Sequence, residues 1–218
     1  VSVRIECADG RNRERAVTAA VAAVRRGDLV LLPTETSYAL ATDAFSDRGR
    51  AALRAAKDTE ESVPLPVLVG RRSTVAGIAQ VTASAQLIID AFWPGAVTVL
   101  LEPQRTLAWD HPDGAPLAVR MPLHPLTLAV LGAAGPLAVT AAALPGMRAP
   151  VDADEAWTLL GDLVSVTLDT GPVLEPDAVP STIVDCRGGA AIVVRAGSVD
   201  ADDLLRVLPQ PDAAADDA

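Results

Sequence analysis

Lysine is almost missing from this sequence: of its 18 Lys and Arg residues, only Lys57 is a lysine. A lone ammonium among guanidiniums is worth following, because a compact point charge and a planar five-donor fork do different work. Cysteine is nearly absent too. Cys7 and Cys186 stand far apart with no CxxC or Cys/His spacing, which excludes a disulfide framework and gives no set of metal ligands. With two histidines and no Ser-His-Asp arrangement, a triad hydrolase is not indicated. No run of about 20 apolar residues is present to span a bilayer as a helix. The opening VSVRIECADG has no leader-like apolar stretch, so a cytoplasmic address and no membrane partner are expected. An excess of positive charge is lacking as well. The net charge of −10 and pI near 4.6 leave no electrostatic footprint for nucleic acid in the totals.

What is present is apolar chain in short runs. Half of the 218 residues are hydrophobic, enough for one large α/β core. Residues 1–208 are expected to form one domain, and the acidic tail 209–218 to be disordered. The stretch LVLLPTETSYAL organises the rest. Leu29–Leu32 is a fully apolar strand, and Pro33 stops its ladder for want of an N–H. Thr34, Glu35, Thr36 and Tyr38 then place oxygen groups at the strand end, where α/β folds put ligands. This strand is expected to be central in the sheet.

Around it, Val3–Glu6 reads as an edge strand and Arg13–Arg26 as an amphipathic helix stopped by Gly27. Ser46 caps a helix running to Lys57, and Thr82 caps Ala83–Phe92. The prolines of Pro64–Val69 predict an edge strand or a strand start. Further strands are expected at Val97–Leu101, Ala118–Met121, Leu137–Thr140, Val164–Leu168, Thr182–Asp185 and Ile192–Arg195. Residues Gln104–Ala115, with Trp109 and His111, read as a loop over one side of the cleft. Asp152 with Glu155 forms a capping box, and Asp200 caps a last helix.

PTETSYAL resembles the PTxTxYGL signature of the YrdC-like family, the threonylcarbamoyl-AMP synthases. The similarity continues in order through Lys57, PLPVLVG, FWPGAVTVLL, LAVRMPLHP, PLAVTAAALPG, PSTIVD and VVRAG, almost the whole chain. The resemblance implies a YrdC-like twisted mixed α/β sheet flanked by helices around an open ligand cleft. It implies ATP as substrate, with Mg²⁺ expected on the triphosphate, joined to bicarbonate and L-threonine. Tyr38, Thr34 and Thr36 would then bind the amino acid with Ser181 and Thr182. Lys57 and Arg120 would be catalytic, while Arg120, Thr140 and Arg195 would hold the nucleotide. Its partners would be these small molecules and the machinery of tRNA modification.

Three motifs depart from the family pattern, at four positions. Thr59 stands where the K-x-R pair has its arginine, Ala141 and Ala143 replace the S-x-N pair, and Ala39 replaces a glycine. The missing contacts amount to about 2.5–6 kcal/mol if simply summed. Arg71, Arg72 and Arg148 are the arginines the sequence offers as substitutes. Three functions therefore stay open: the family synthesis, a divergent paralogue acting on another amine or carbamoyl adenylate, and a non-catalytic nucleotide or RNA binder.

Overall fold

Alternation along the strands fixes which side chains enter the core and which reach the sheet's open face. The computed structural model describes residues 2–107, 109, 111–173 and 179–209. The expected disordered tail lies outside the described residues from position 210 onward.

The chain opens with β1 (Val3–Glu6) and α1 (Arg13–Arg25), then turns at Gly27. Gly27 has φ +75°, and a Cβ there would lie 2.6 Å from the Ser46 hydroxyl, so only glycine fits. β2 (Val30–Pro33) and β3 (Tyr38–Asp43) form a hairpin, with Pro33 opposite Tyr38 as its last pair. The Ser46 hydroxyl accepts the Gly49 N–H and starts α2 (Asp47–Ala55), which ends two residues before Lys57. The short β4 (Val67–Leu68), α3 (Val75–Ile78) and β5 (Ala79–Gln80) follow. The Thr82 hydroxyl caps α4 (Ala83–Phe92), which leads to β6 (Val97–Pro103) and β7 (Leu117–Arg120). Next come α5 (Pro125–Ala134), with proline at its first position where no N–H is needed, and β8 (Leu137–Ala141). The Asp152 carboxylate accepts the Glu155 N–H at the start of α6 (Ala153–Leu160). β9 (Val166–Asp169), β10 (Thr182–Asp185), β11 (Ile192–Arg195) and α7 (Ala201–Arg206) complete the described chain.

Among the described residues the strands form one mixed sheet in the order β1-β9-β2-β3-β8-β4-β7-β6-β10-β11, with β5 paired to β6 off this path. Two expectations are corrected here. The LVLLP strand is buried along its length but lies third from the β1 edge rather than at the centre. β4 is no edge strand: it pairs with β7 on one side and β8 on the other. Its prolines permit this because Pro64 and Pro66 both precede the paired residues. Pro66 still offers its carbonyl, which accepts the Val139 N–H at 2.9 Å.

The core lies on both faces of the sheet. Leu31, Tyr38, Leu40, Val67, Val97, Val99 and Val119 point into the larger cluster, with residues of α2, α4 and α6. Their strand neighbours Val30, Leu32, Ala41, Leu68 and Val139 point the other way, beneath α1 and α5. Those two helices do not extend over the far half of that face. Beside them an open hollow runs from β3 and β8 across β4, β7 and β6 to β10 and β11.

Gly197, just beyond β11, is pressed against the chain that enters β10. A Cβ would meet the Pro180 carbonyl oxygen at 2.3 Å and the Thr182 nitrogen at 2.5 Å. Gly197→Ala should therefore lower unfolding free energy by about 1–3 kcal/mol in urea denaturation. Gly189→Ala, with nothing within 4 Å of its Cβ, should change it by less than about 0.5 kcal/mol.

Candidate functional site

The hollow is a cavity of about 650 Å³, within the size range of small-molecule sites. Its apolar wall includes Ala39, Val67, Leu68, Ala118, Val139 and Ile183; its polar wall includes Thr34, Thr36, Thr98, Arg120, Thr140, Arg148, Ser181 and Arg195. No carboxylate is among the lining residues, and no lysine or histidine. Such a wall presents donors and positive charge, and suits an anion carrying an apolar or planar part.

Arg120 reaches the cavity from the end of β7. Its Nη2 lies 2.6 Å from Glu35 Oε1, with side chains 11% and 18% exposed. Neither atom has an aligned hydrogen bond, so charge holds the pair more than direction does. Arg120 also donates to Thr36 Oγ1 at 3.1 Å and to the Gly95 carbonyl at 3.3 Å. Glu35 in turn accepts the Leu123 N–H at 2.9 Å. Arg195, from β11, donates to the Ser181 carbonyl at 2.6 Å and to its hydroxyl at 3.2 Å. Among the described residues it has no carboxylate partner. Burial, and then the positive charge of Arg120, pull its pKa below the usual guanidinium value. An anion between the two would relieve that repulsion. Ser181 Oγ also lies 3.0 Å from Thr98 Oγ1, so two hydroxyls lie beside the Arg195 guanidinium.

Thr34 lines the cavity, but its hydroxyl is engaged in the hairpin. It donates to the Ser37 carbonyl at 2.7 Å and receives the Thr36 and Ser37 N–H groups at 3.3 and 3.2 Å. Thr36, not Thr34, carries the hydroxyl that meets Arg120.

Three residues expected at the site do not line it. Tyr38 is fully buried; its hydroxyl donates to the Gly171 carbonyl at 2.9 Å and accepts the Thr170 N–H at 3.1 Å. Burial raises its pKa, and it braces the hairpin from the core side. Thr182 is also fully buried, donating to the Val199 carbonyl at 2.6 Å. A strand's period of two explains both placements: Ala39 and Ser181 face the cavity, so their neighbours Tyr38 and Thr182 face away. Lys57 binds the carbonyls of Ala141 and Ala143 and ties down the end of β8, and burial lowers its pKa. Thr59 turns its hydroxyl onto the Lys57 carbonyl. Of the altered S-x-N pair, Ala141 lies on the cavity wall, while Ala143 is buried.

Of the three arginines considered as substitutes, Arg148 lines the cavity and Arg71 and Arg72 do not. Arg72 instead donates to the Trp93 carbonyl. Sequence reasoning also passed over Thr98, although a lone hydroxyl in the apolar run Val97–Leu101 was a visible signal. None of the described residues of the 104–115 loop lines the cavity; Trp109 packs on Phe45 and His111, each with ring centroids 5.5 Å apart. Neither thiol lines the cavity, and burial pushes Cys186 up to about 12. For Mg²⁺, the wall supplies no carboxylate, and no cluster of three His, Cys, Asp or Glu occurs among the described residues. A resident metal does not fit this wall.

Fold and site thus define an α/β protein with a cleft lined by arginines and hydroxyls, and comparison with known proteins places it. The Sua5/YciO/YrdC family profile, described as "Telomere recombination", matches residues 22–197, so this chain belongs to that family. A Mycobacterium tuberculosis relative, provisionally named threonylcarbamoyl-AMP synthase, is 40% identical over 205 residues, covering 93% of this chain and 94% of the relative. The fold is shared with P. abyssi Sua5 solved with L-threonine, at a TM-score of 0.84 and 23% identity, over 95% of this chain and 61% of that one. E. coli YciO superposes with a TM-score of 0.79 at 22% identity, over 92% of this chain and 98% of its own. Among the described residues no helix is long and apolar enough to cross a membrane.

Tyr38→Phe separates a brace from a pocket residue. Loss of two buried hydrogen bonds should cost about 1–3 kcal/mol in urea denaturation. The affinity for any cavity ligand, read by calorimetry, should stay near the wild-type value.

Proposed function

We propose that this protein is a threonylcarbamoyl-AMP synthase, converting ATP, bicarbonate and L-threonine into threonylcarbamoyl-AMP, pyrophosphate and water. The observation that carries this reading is the convergence of Arg120, Arg195, Thr36, Thr98 and Ser181 on one cavity without an acidic wall residue. The threonine amine attacks the bicarbonate carbon and water leaves, giving a carbamate whose oxygen attacks the α-phosphorus as the bond to pyrophosphate breaks. Negative charge grows on the oxygens in flight, and fixed donors in a recess stabilise it without needing a triad. Arg120, fixed by Glu35, and Arg195, free of any described carboxylate, are the groups suited to the phosphates. The apolar wall gives the nucleoside or the amino-acid side chain a dry surface. The product would serve threonylcarbamoyladenosine formation in tRNA, in the cytoplasm.

A second reading has its own observation. Ala141 puts a methyl group on the cavity wall where the family has a hydroxyl, which favours an amine other than threonine. Pyrophosphate release from ATP in bicarbonate, measured with L-threonine and with a panel of other amines, separates the two. Turnover dependent on threonine supports the synthase; turnover with another amine alone supports the paralogue; no release with any amine rejects both.

Arg195→Ala is the cleaner test of the phosphate site, since Arg120→Ala would also strand a largely buried Glu35. Arg195→Ala should weaken ATP binding by roughly 1.5–3 kcal/mol in calorimetry. Arg206→Ala, removing a guanidinium paired with Asp203 on α7, should leave it unchanged.

A further inference from the structure

The cavity's positive charge is not in one place. Along the sheet it runs from β3 and β8 at one end to β11 at the other. Arg195 belongs to the β11 end, and Arg120, on β7, is near enough for its charge to depress Arg195. These two make one positive pole. Arg148 belongs to the other end, on the segment joining β8 to α6. That segment is anchored at its start, where Lys57 binds the carbonyls of Ala141 and Ala143. It is anchored at its finish by the Asp152 cap on α6. Arg148 therefore sits on a connection tied at both ends, while its side chain is largely exposed.

Its tether is weak. Arg148 Nη2 lies 3.1 Å from Glu155 Oε1, with side chains 61% and 27% exposed. Its other contact, Nη1 to the Ala149 carbonyl at 3.4 Å, is long. Exposed ion pairs of this kind contribute about 0–1 kcal/mol, so a polyanion offering a bidentate contact competes easily for the guanidinium. Arg120 differs: its Glu35 pair is enclosed and fixed. One end of the cavity thus holds a rigid cation pair, and the other a cation able to change partners.

We propose that Arg148 is a nucleotide-binding residue that leaves Glu155 to take the β- and γ-phosphates of ATP, and so holds the pyrophosphate as it departs. A half-exposed cation at the cavity's edge suits the part of the substrate that must leave. The inference rests on the synthase reading, in which ATP occupies this cavity.

Calorimetric titration with ATP, AMP and L-threonine tests it. Arg148→Ala should weaken ATP binding about tenfold and leave AMP and threonine binding unchanged, because only ATP carries the distal phosphates. Arg148→Lys, which keeps the charge but not the fork, should fall between. Glu155→Gln removes the competing carboxylate and should raise ATP affinity by up to about fivefold. Thermal unfolding of each variant shows that the fold is intact, as expected for an exposed side chain. Unchanged ATP affinity in Arg148→Ala overturns the proposal. So does an equal loss for ATP and AMP, or a loss confined to threonine, which would place the amino-acid carboxylate there instead. If the wild-type protein binds neither nucleotide, the synthase reading fails and takes this assignment with it; normal wild-type binding with an insensitive Arg148→Ala removes this assignment alone.

Discussion

The contact between Arg120 and Glu35 holds the site together. Arg120 ends β7, while Glu35 lies in the turn between β2 and β3, strands well apart in the sheet. Their 2.6 Å meeting, with both side chains mostly out of water, draws the hairpin turn over the cavity. Burying two charges is costly, and the attraction offsets it only while both partners stay in place. That makes the pair a device for position rather than for net stability. Through Thr36 and Gly95 the same guanidinium fixes the turn and the chain before β6, and through Leu123 the same carboxylate fixes the approach to α5.

Such a fixed cation fits phosphate chemistry. A guanidinium already held in place loses little freedom on binding, and its charge acts in a recess where water screens less. The second guanidinium, Arg195, lacks a described acidic partner and rests on Ser181 instead. Pairing one arginine and leaving its neighbour free gives rigidity and unmet positive charge in the same cleft. The departures from the family pattern fall beside this arrangement, not within it. Thr59 is turned away and Ala143 is buried, while Ala141 and Ala39 change the cavity surface by a methyl group each.

Lys57, the lone lysine, has a structural task. Its ammonium holds two carbonyls at the end of β8, a use that rewards a compact donor with three hydrogens. That placement keeps the β8–α6 connection, and Arg148 with it, at the cavity's edge. Lysine, connection and arginine thus act as one unit although they are distant in sequence.

Much of this could be read from sequence alone. Apolar runs gave nearly every strand, and Ser46, Thr82, Asp152 and Asp200 gave helix starts, because caps and strands are local chemistry. Motif order pointed to the family and to Thr36, Arg120, Ser181 and Arg195 sharing a cavity. What sequence could not give was direction. Ser181 and Thr182 look equivalent in a string, as do Tyr38 and Ala39, yet a period of two sends each pair to opposite faces. Which face is open depends on where α1 and α5 end, and that is set by packing across the whole sheet. The same holds for β4, whose prolines suggest an edge until its neighbours are known, and for Arg148, whose place depends on the fold of a connection. Local residues chose the elements; long-range packing chose which of their atoms meet the ligand.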